Sequence, residues 1–133
     1  MFPRGVSKQL EIKPGQVMAT EVIWHVFGGD LSRPAPIVDW YEGDKLDCPG
    51  GTSFWAVTEV SDYKQTKQCL LGVYIRSMHV ALVAWRAGQA MSATALAHEL
   101  CHAYFKEETP HEICKNDDGP VKAANEQLRL MGL

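Results

Sequence analysis

The sequence predicts an α+β fold: a small, mainly antiparallel sheet packed against two late helices. Three observations lead there. Short β-branched runs separated by turn residues fill the middle of the chain. Helical patterns close it, at Ala93–Glu108 and from Pro120 onward. No linker, repeat or low-complexity stretch divides the 133 residues, and 46% hydrophobic content suits one core in a single domain spanning 1–133.

The elements follow in order. Residues 1–14 are polar, run into Pro14-Gly15, and read as a loose lead-in. Gln16–Phe27 is about three turns long and stops at Gly28-Gly29, which favours a helix over a strand. Ile37–Tyr41 is a short strand, Lys45–Thr52 a loop around Cys48-Pro49-Gly50-Gly51, and Ser53–Val60 alternates as a strand does. Ser61–Thr66 is a polar turn. Gln68–Arg76 and His79–Trp85 are apolar, β-branched runs split at Ser77-Met78, the pattern of a hairpin. Ser92 then offers an N-cap to a helix that runs to Glu108, before Thr109-Pro110. After a polar loop, Pro120 opens a final amphipathic helix through Val121–Met131.

A formal charge of −3 gives no electrostatic basis for binding nucleic acid or an anionic membrane. No apolar run is long enough to span a bilayer. The N-terminal MFPRGVSKQL lacks the apolar core of a signal peptide, so the expectation is a cytosolic protein or a chain that starts after a removed leader. The four cysteines, Cys48, Cys69, Cys101 and Cys114, form no CxxC pair, which argues against a cysteine-only zinc ribbon. Reduced buried thiols and disulfides both remain open; disulfides favour an extracytoplasmic or secreted location.

The chemistry concentrates in His98-Glu99-Leu100-Cys101-His102. Residues four apart on a helix share a face, so His98 and His102 can offer two imidazole nitrogens to one ion. Glu99 stands one step round the helix, beside the ion rather than on it, where a general base belongs. Chance would place His-Glu-x-x-His in on the order of one in a hundred chains with this many histidines. The helical context raises the signal: Thr94, Ala95, Ala97 and Ala103 keep the helix slim.

HELCH preceded by Thr94-Ala95-Leu96-Ala97, after a hairpin and before another helix, resembles the zincin metallopeptidases in a minimal form. The resemblance covers the motif helix well and the rest only as architecture. It implies a zinc-dependent peptidase with one Zn2+ per chain, hydrolysing peptide bonds of a peptide or protein substrate through a metal-activated water, with Glu99 as base. It also implies a substrate strand before the motif helix. His79, Val80, Ala81, Leu82 and Val83 would supply that edge and hold an extended peptide by β-augmentation. The alternative is a catalytically inactive zincin-like module that binds metal or a protein partner.

A catalytic zinc needs a third protein ligand. The metzincin steps after His102 fall on Phe105 and Glu108, which excludes that pattern. His111, just past Thr109-Pro110, is the preferred candidate. Glu126 is the alternative, because Asn125-Glu126 resembles the Asn-Glu start of the gluzincin motif, although Arg129 and Leu130 stand where Ser-Asp normally follows. Glu112, Asp117 and Asp118 are further options, and Cys101 would have to turn inward from a flank. If His111 reaches the metal, Cys101 and Cys114, each three residues beyond a ligand, come close. The expected disulfides are then Cys101–Cys114 and Cys48–Cys69. Tyr104, Tyr63, Tyr74, His79 and His25 are candidates to stabilise an oxyanion, and spacing selects none of them.

Overall fold

A computed structural model describes residues 9–42, 71–106 and 113–133. The expected elements at Lys45–Thr52, Ser53–Val60 and Ser61–Thr66, and the Cys48–Cys69 pair, lie outside the described residues.

Helix α1 (Pro14–Phe27) begins with Pro14, whose fixed φ suits a first helical turn. The Gln16 side-chain oxygen accepts the Lys13 N–H at 2.8 Å, satisfying a donor at the helix start. The helix ends at Gly28, whose φ of 105° lies in the left-handed region. The N–H groups of Gly28 and Gly29 then reach back to the carbonyls of His25 and Trp24. The sequence reading of this helix holds, with the start two residues earlier.

Strands β1 (Gln9–Leu10), β2 (Ile37–Glu42), β3 (Gly72–Ile75) and β4 (Val80–Trp85) form one sheet in the order β1-β2-β4-β3. Leu10 pairs with Trp40, so part of the expected loose lead-in belongs to the sheet. β3 and β4 are the expected antiparallel hairpin, with Tyr74 opposite Ala81. β2 and β4 run parallel, with Trp40 opposite Val83, so the sheet is mixed.

The pairing corrects the expectation for His79–Val83. β4 is no edge: it is bonded to β2 on one side and β3 on the other. All six of its residues are buried. The run Val80-Ala81-Leu82-Val83-Ala84-Trp85 has no polar alternation, which is the signature of a strand covered on both faces. A peptide cannot add to a strand whose backbone groups are already paired.

The core joins sheet and helices. Val38, Trp40, Ala81, Val83 and Trp85 meet Ala19, Ile23, Trp24 and Phe27 of α1 in one buried cluster, together with residues of the two later helices. Strand alternation places those five on one face. Tyr41 belongs to the opposite face and is also buried. Burial, and then the charge of Asp39 two residues earlier, push its phenol from the ordinary 10.0 up to about 12. The unfolded chain therefore gives up that proton first, and stability should fall as pH rises from about 10 to 12. Tyr41→Phe is expected to flatten this part of the alkaline unfolding curve, followed by circular dichroism. An unchanged curve would remove Tyr41 as the cause.

A 3-10 turn (Met91–Ala93) leads into α2 (Leu96–Phe105), and α3 (Gly119–Leu130) closes the fold. Ser92 is not the N-cap expected of it: its N–H bonds to the Leu133 carbonyl at the C-terminus. The helix instead begins after Thr94, whose hydroxyl donates to the Met91 carbonyl at 2.7 Å and accepts the Leu96 N–H at 3.2 Å. It stops at Phe105, short of the expected Glu108, because Lys106 turns left-handed with φ of 55°. Asp118 caps α3 through the Gly119 N–H, and Pro120 sits in its first turn as read from sequence.

Candidate metal centre

Helix α2 sorts its side chains by face. Leu96, Ala97, Leu100 and Ala103 are buried in the core, and the small residues let the helix lie close to its neighbours. His98 and His102 lie one turn apart and stay half-buried. Their Nε2 atoms stand 3.0 Å apart, one donating and the other accepting. The rings meet edge to face, with centroids 4.6 Å apart.

That spacing bears on metal binding. Two nitrogens bound tetrahedrally to one zinc ion at 2.0–2.1 Å would stand roughly 3.3 Å apart. The observed separation is within a few tenths of this, with the two nitrogens hydrogen-bonded to each other. Glu99, between them in sequence, takes a different face: it is buried, at 6% exposure, on the side facing β3. The two imidazoles and the carboxylate thus come from one helical turn but occupy unlike surroundings.

The C-terminal half of α2 is held at two points. The Arg33 guanidinium donates to the Tyr104 carbonyl and lies over the Tyr104 ring, 3.7 Å from its centroid. A cation there suits the negative end of the helix dipole. Cys101 and Cys114 form the expected disulfide, with Cα atoms 5.7 Å apart. The bond ties α2 to the chain that enters α3. It also removes Cys101 from the candidate ligands, because its sulfur is already bonded.

Among the described residues, no group of three or more His, Cys, Asp and Glu side chains able to hold a metal occurs. Glu126, the gluzincin-like alternative, is exposed on α3 and lies 4.0 Å from Lys122, one turn away. The neighbouring faces of α3, carrying Val121, Ala124, Asn125 and Leu128, are the ones turned inward. Asp118 caps α3 and Asp117 is exposed, and neither joins the histidines. His111 and Glu112 lie outside the described residues.

The oxyanion candidates have other contacts. Tyr104 packs on Trp24, Phe27 and Phe105 under Arg33. The Tyr74 hydroxyl meets His79 Nδ1 at 2.8 Å, and His79 Nε2 meets the Pro34 carbonyl at 3.1 Å. A carbonyl only accepts, so Nε2 carries the proton, and in the neutral ring Nδ1 accepts from Tyr74. His25 is exposed on the last turn of α1, and Tyr63 lies outside the described residues. One neighbour of Glu99 escaped the sequence reading: Gly72, at the start of β3. A lone glycine inside a strand pattern is a signal of close approach, and it was there to be read.

No family model, curated protein or solved structure matches the chain.

Proposed function

We propose that the chain is a small zinc-dependent metallopeptidase of the zincin type, with His98 and His102 as zinc ligands and Glu99 as general base. The observation that carries this reading is the His98–His102 pair, with Nε2 atoms 3.0 Å apart, on the helical turn that also carries the buried carboxylate of Glu99. A structural zinc site has no use for that carboxylate, whereas hydrolysis does.

His111 is the third ligand in this reading. Its support is connectivity: Cys114, three residues further on, is bonded to Cys101, which directly precedes His102. The disulfide keeps the chain after His111 at the helix that carries the other two ligands. It also fits an oxidising, extracytoplasmic compartment. Among the described residues no helix is long and apolar enough to cross a membrane.

The roles divide as follows. Bound zinc supplies Lewis-acid polarisation of the scissile carbonyl and lowers the pKa of the attacking water. His98 and His102 would hold the ion through Nε2, and the Nε2 proton now shared between them would then leave, with each neutral ring protonated on Nδ1. Glu99 accepts the proton that the water loses on attack and delivers it to the departing amine. Its burial beside β3 keeps the carboxylate in one place between the two transfers.

Elemental analysis of metal per chain tests the site. About one zinc is expected in the wild type, with loss in His98→Ala and His111→Ala and retention in Glu126→Ala. A wild type without metal, after zinc resupply and no chelator, would defeat the reading. Retention in His111→Ala would leave the histidine pair and require another third ligand.

A further inference from the structure

We propose that Gly72 is a positioning residue for Glu99, its missing side chain being the space in which the carboxylate stands. The inference rests on the base role assigned above and extends it to a residue on another element. A Cβ built on Gly72 would lie 2.9 Å from Glu99 Cγ and 3.2 Å from Glu99 Oε2. It would also lie 3.0 Å from the Ala95 Cβ. Ordinary carbon contacts fall at roughly 3.5–4.0 Å.

The requirement is one of space. Gly72 is absent from the glycines with positive φ, so its backbone suits any residue. Neither flank can retreat easily. β3 is held in the ladder with β4, where Gly72 faces Val83, and just outside it the Leu71 carbonyl accepts the Ala84 N–H at 2.9 Å. Across the gap, the Ala95 carbonyl accepts the Glu99 N–H at 3.0 Å, which fixes the first turn of α2. Ala95 has no rotamer to change. The part left to move is the Glu99 side chain, by roughly 0.6–1 Å at Cγ to restore normal contact. The two ligands, His98 and His102, lie on another face of α2 and keep their places.

Gly72→Ala therefore separates positioning from metal binding. The expected result is one zinc per chain as in the wild type, an unchanged KM, and a kcat lowered by roughly 10- to 100-fold, since displacement of a reacting group by about 1 Å has that effect. A cycle of melting temperatures reads the contact without any assay of activity. Gly72→Ala should lower Tm by about 5–10 °C, and by clearly less in a Glu99→Ala background, where the Glu99 Cγ and Oε2 are gone and only the Ala95 Cβ still crowds the site. A Gly72→Ala chain that fails to fold, paired with a double variant that does fold, gives the same support. Equal penalties in both backgrounds, including failure of both to fold, would overturn the proposal, as would loss of zinc in Gly72→Ala. A wild type with zinc but no peptidase activity would defeat the base reading and the positioning role with it, while the cycle still reports on the contact itself.

Discussion

Glu99→Gln is expected to lower kcat for peptide hydrolysis by 10²- to 10⁴-fold while the protein keeps its zinc, this being the range that a positioned general base contributes. The substitution keeps the shape of a side chain that is only 6% exposed, so the packing against Gly72 is preserved. What is lost is the ability to accept a proton, because an amide oxygen is a poor base and an amide nitrogen only donates. Uncharged Gln also removes the acceptor that passes the proton on to the leaving amine. The measurement is steady-state cleavage of a quenched fluorescent peptide library, with zinc content determined on the same samples. Activity that survives intact in Glu99→Gln would assign the base to another group. Zinc bound without any cleavage by the wild type would leave a metal-binding module in place of an enzyme.

Removal of the Cys101–Cys114 disulfide should have the largest effect on stability. The bond closes a loop with a sequence separation of 13, and both sulfurs are fully buried. Cross-linking a loop of this size disfavours the unfolded chain by about 3 kcal/mol. Cys101→Ala with Cys114→Ala together should lower Tm by roughly 10 °C in thermal unfolding followed by circular dichroism. Alanine avoids leaving a buried thiol or hydroxyl, and the loss of two buried sulfurs adds to the effect of breaking the link. The same variant should bind zinc more weakly, because His111 would lose its tether to α2. A Tm within 2 °C of wild type would mean that the covalent link adds nothing beyond the packing of α3 on α1 and α2. Weakened zinc binding with an unchanged Tm would separate the ligand-holding role of the bond from its stabilising one.

Several elements were legible because their causes are local. Gly28-Gly29 marked the end of α1 and Pro120 the first turn of α3, whereas the start of α1 at Pro14 and the Asp118 cap came from the structure. The β3–β4 hairpin followed from two apolar runs around Ser77-Met78. The His98–His102 face follows from the helical period alone, and the structure adds that the two Nε2 atoms stand 3.0 Å apart. The start of α2 was misread because Ser92 lies inside the 3-10 turn Met91–Ala93, where its N–H meets the Leu133 carbonyl, a contact between residues far apart along the chain.

The sequence by itself determined the α+β class and the position of the candidate motif, which depend on short spacings and residue type, while the Cys101–Cys114 pairing followed from it only on the condition that His111 meets the histidine pair. Only the tertiary structure decided that β4 is internal, that Glu126 stays in solvent beside Lys122, and that Gly72 faces Glu99. The physical reason is the same in each case. Which strand lies at an edge, which side of a helix meets the core and which glycine leaves room for a carboxylate are set by contacts between residues distant along the chain. Periodicity offers an element a face to bury, and packing chooses what lies against it.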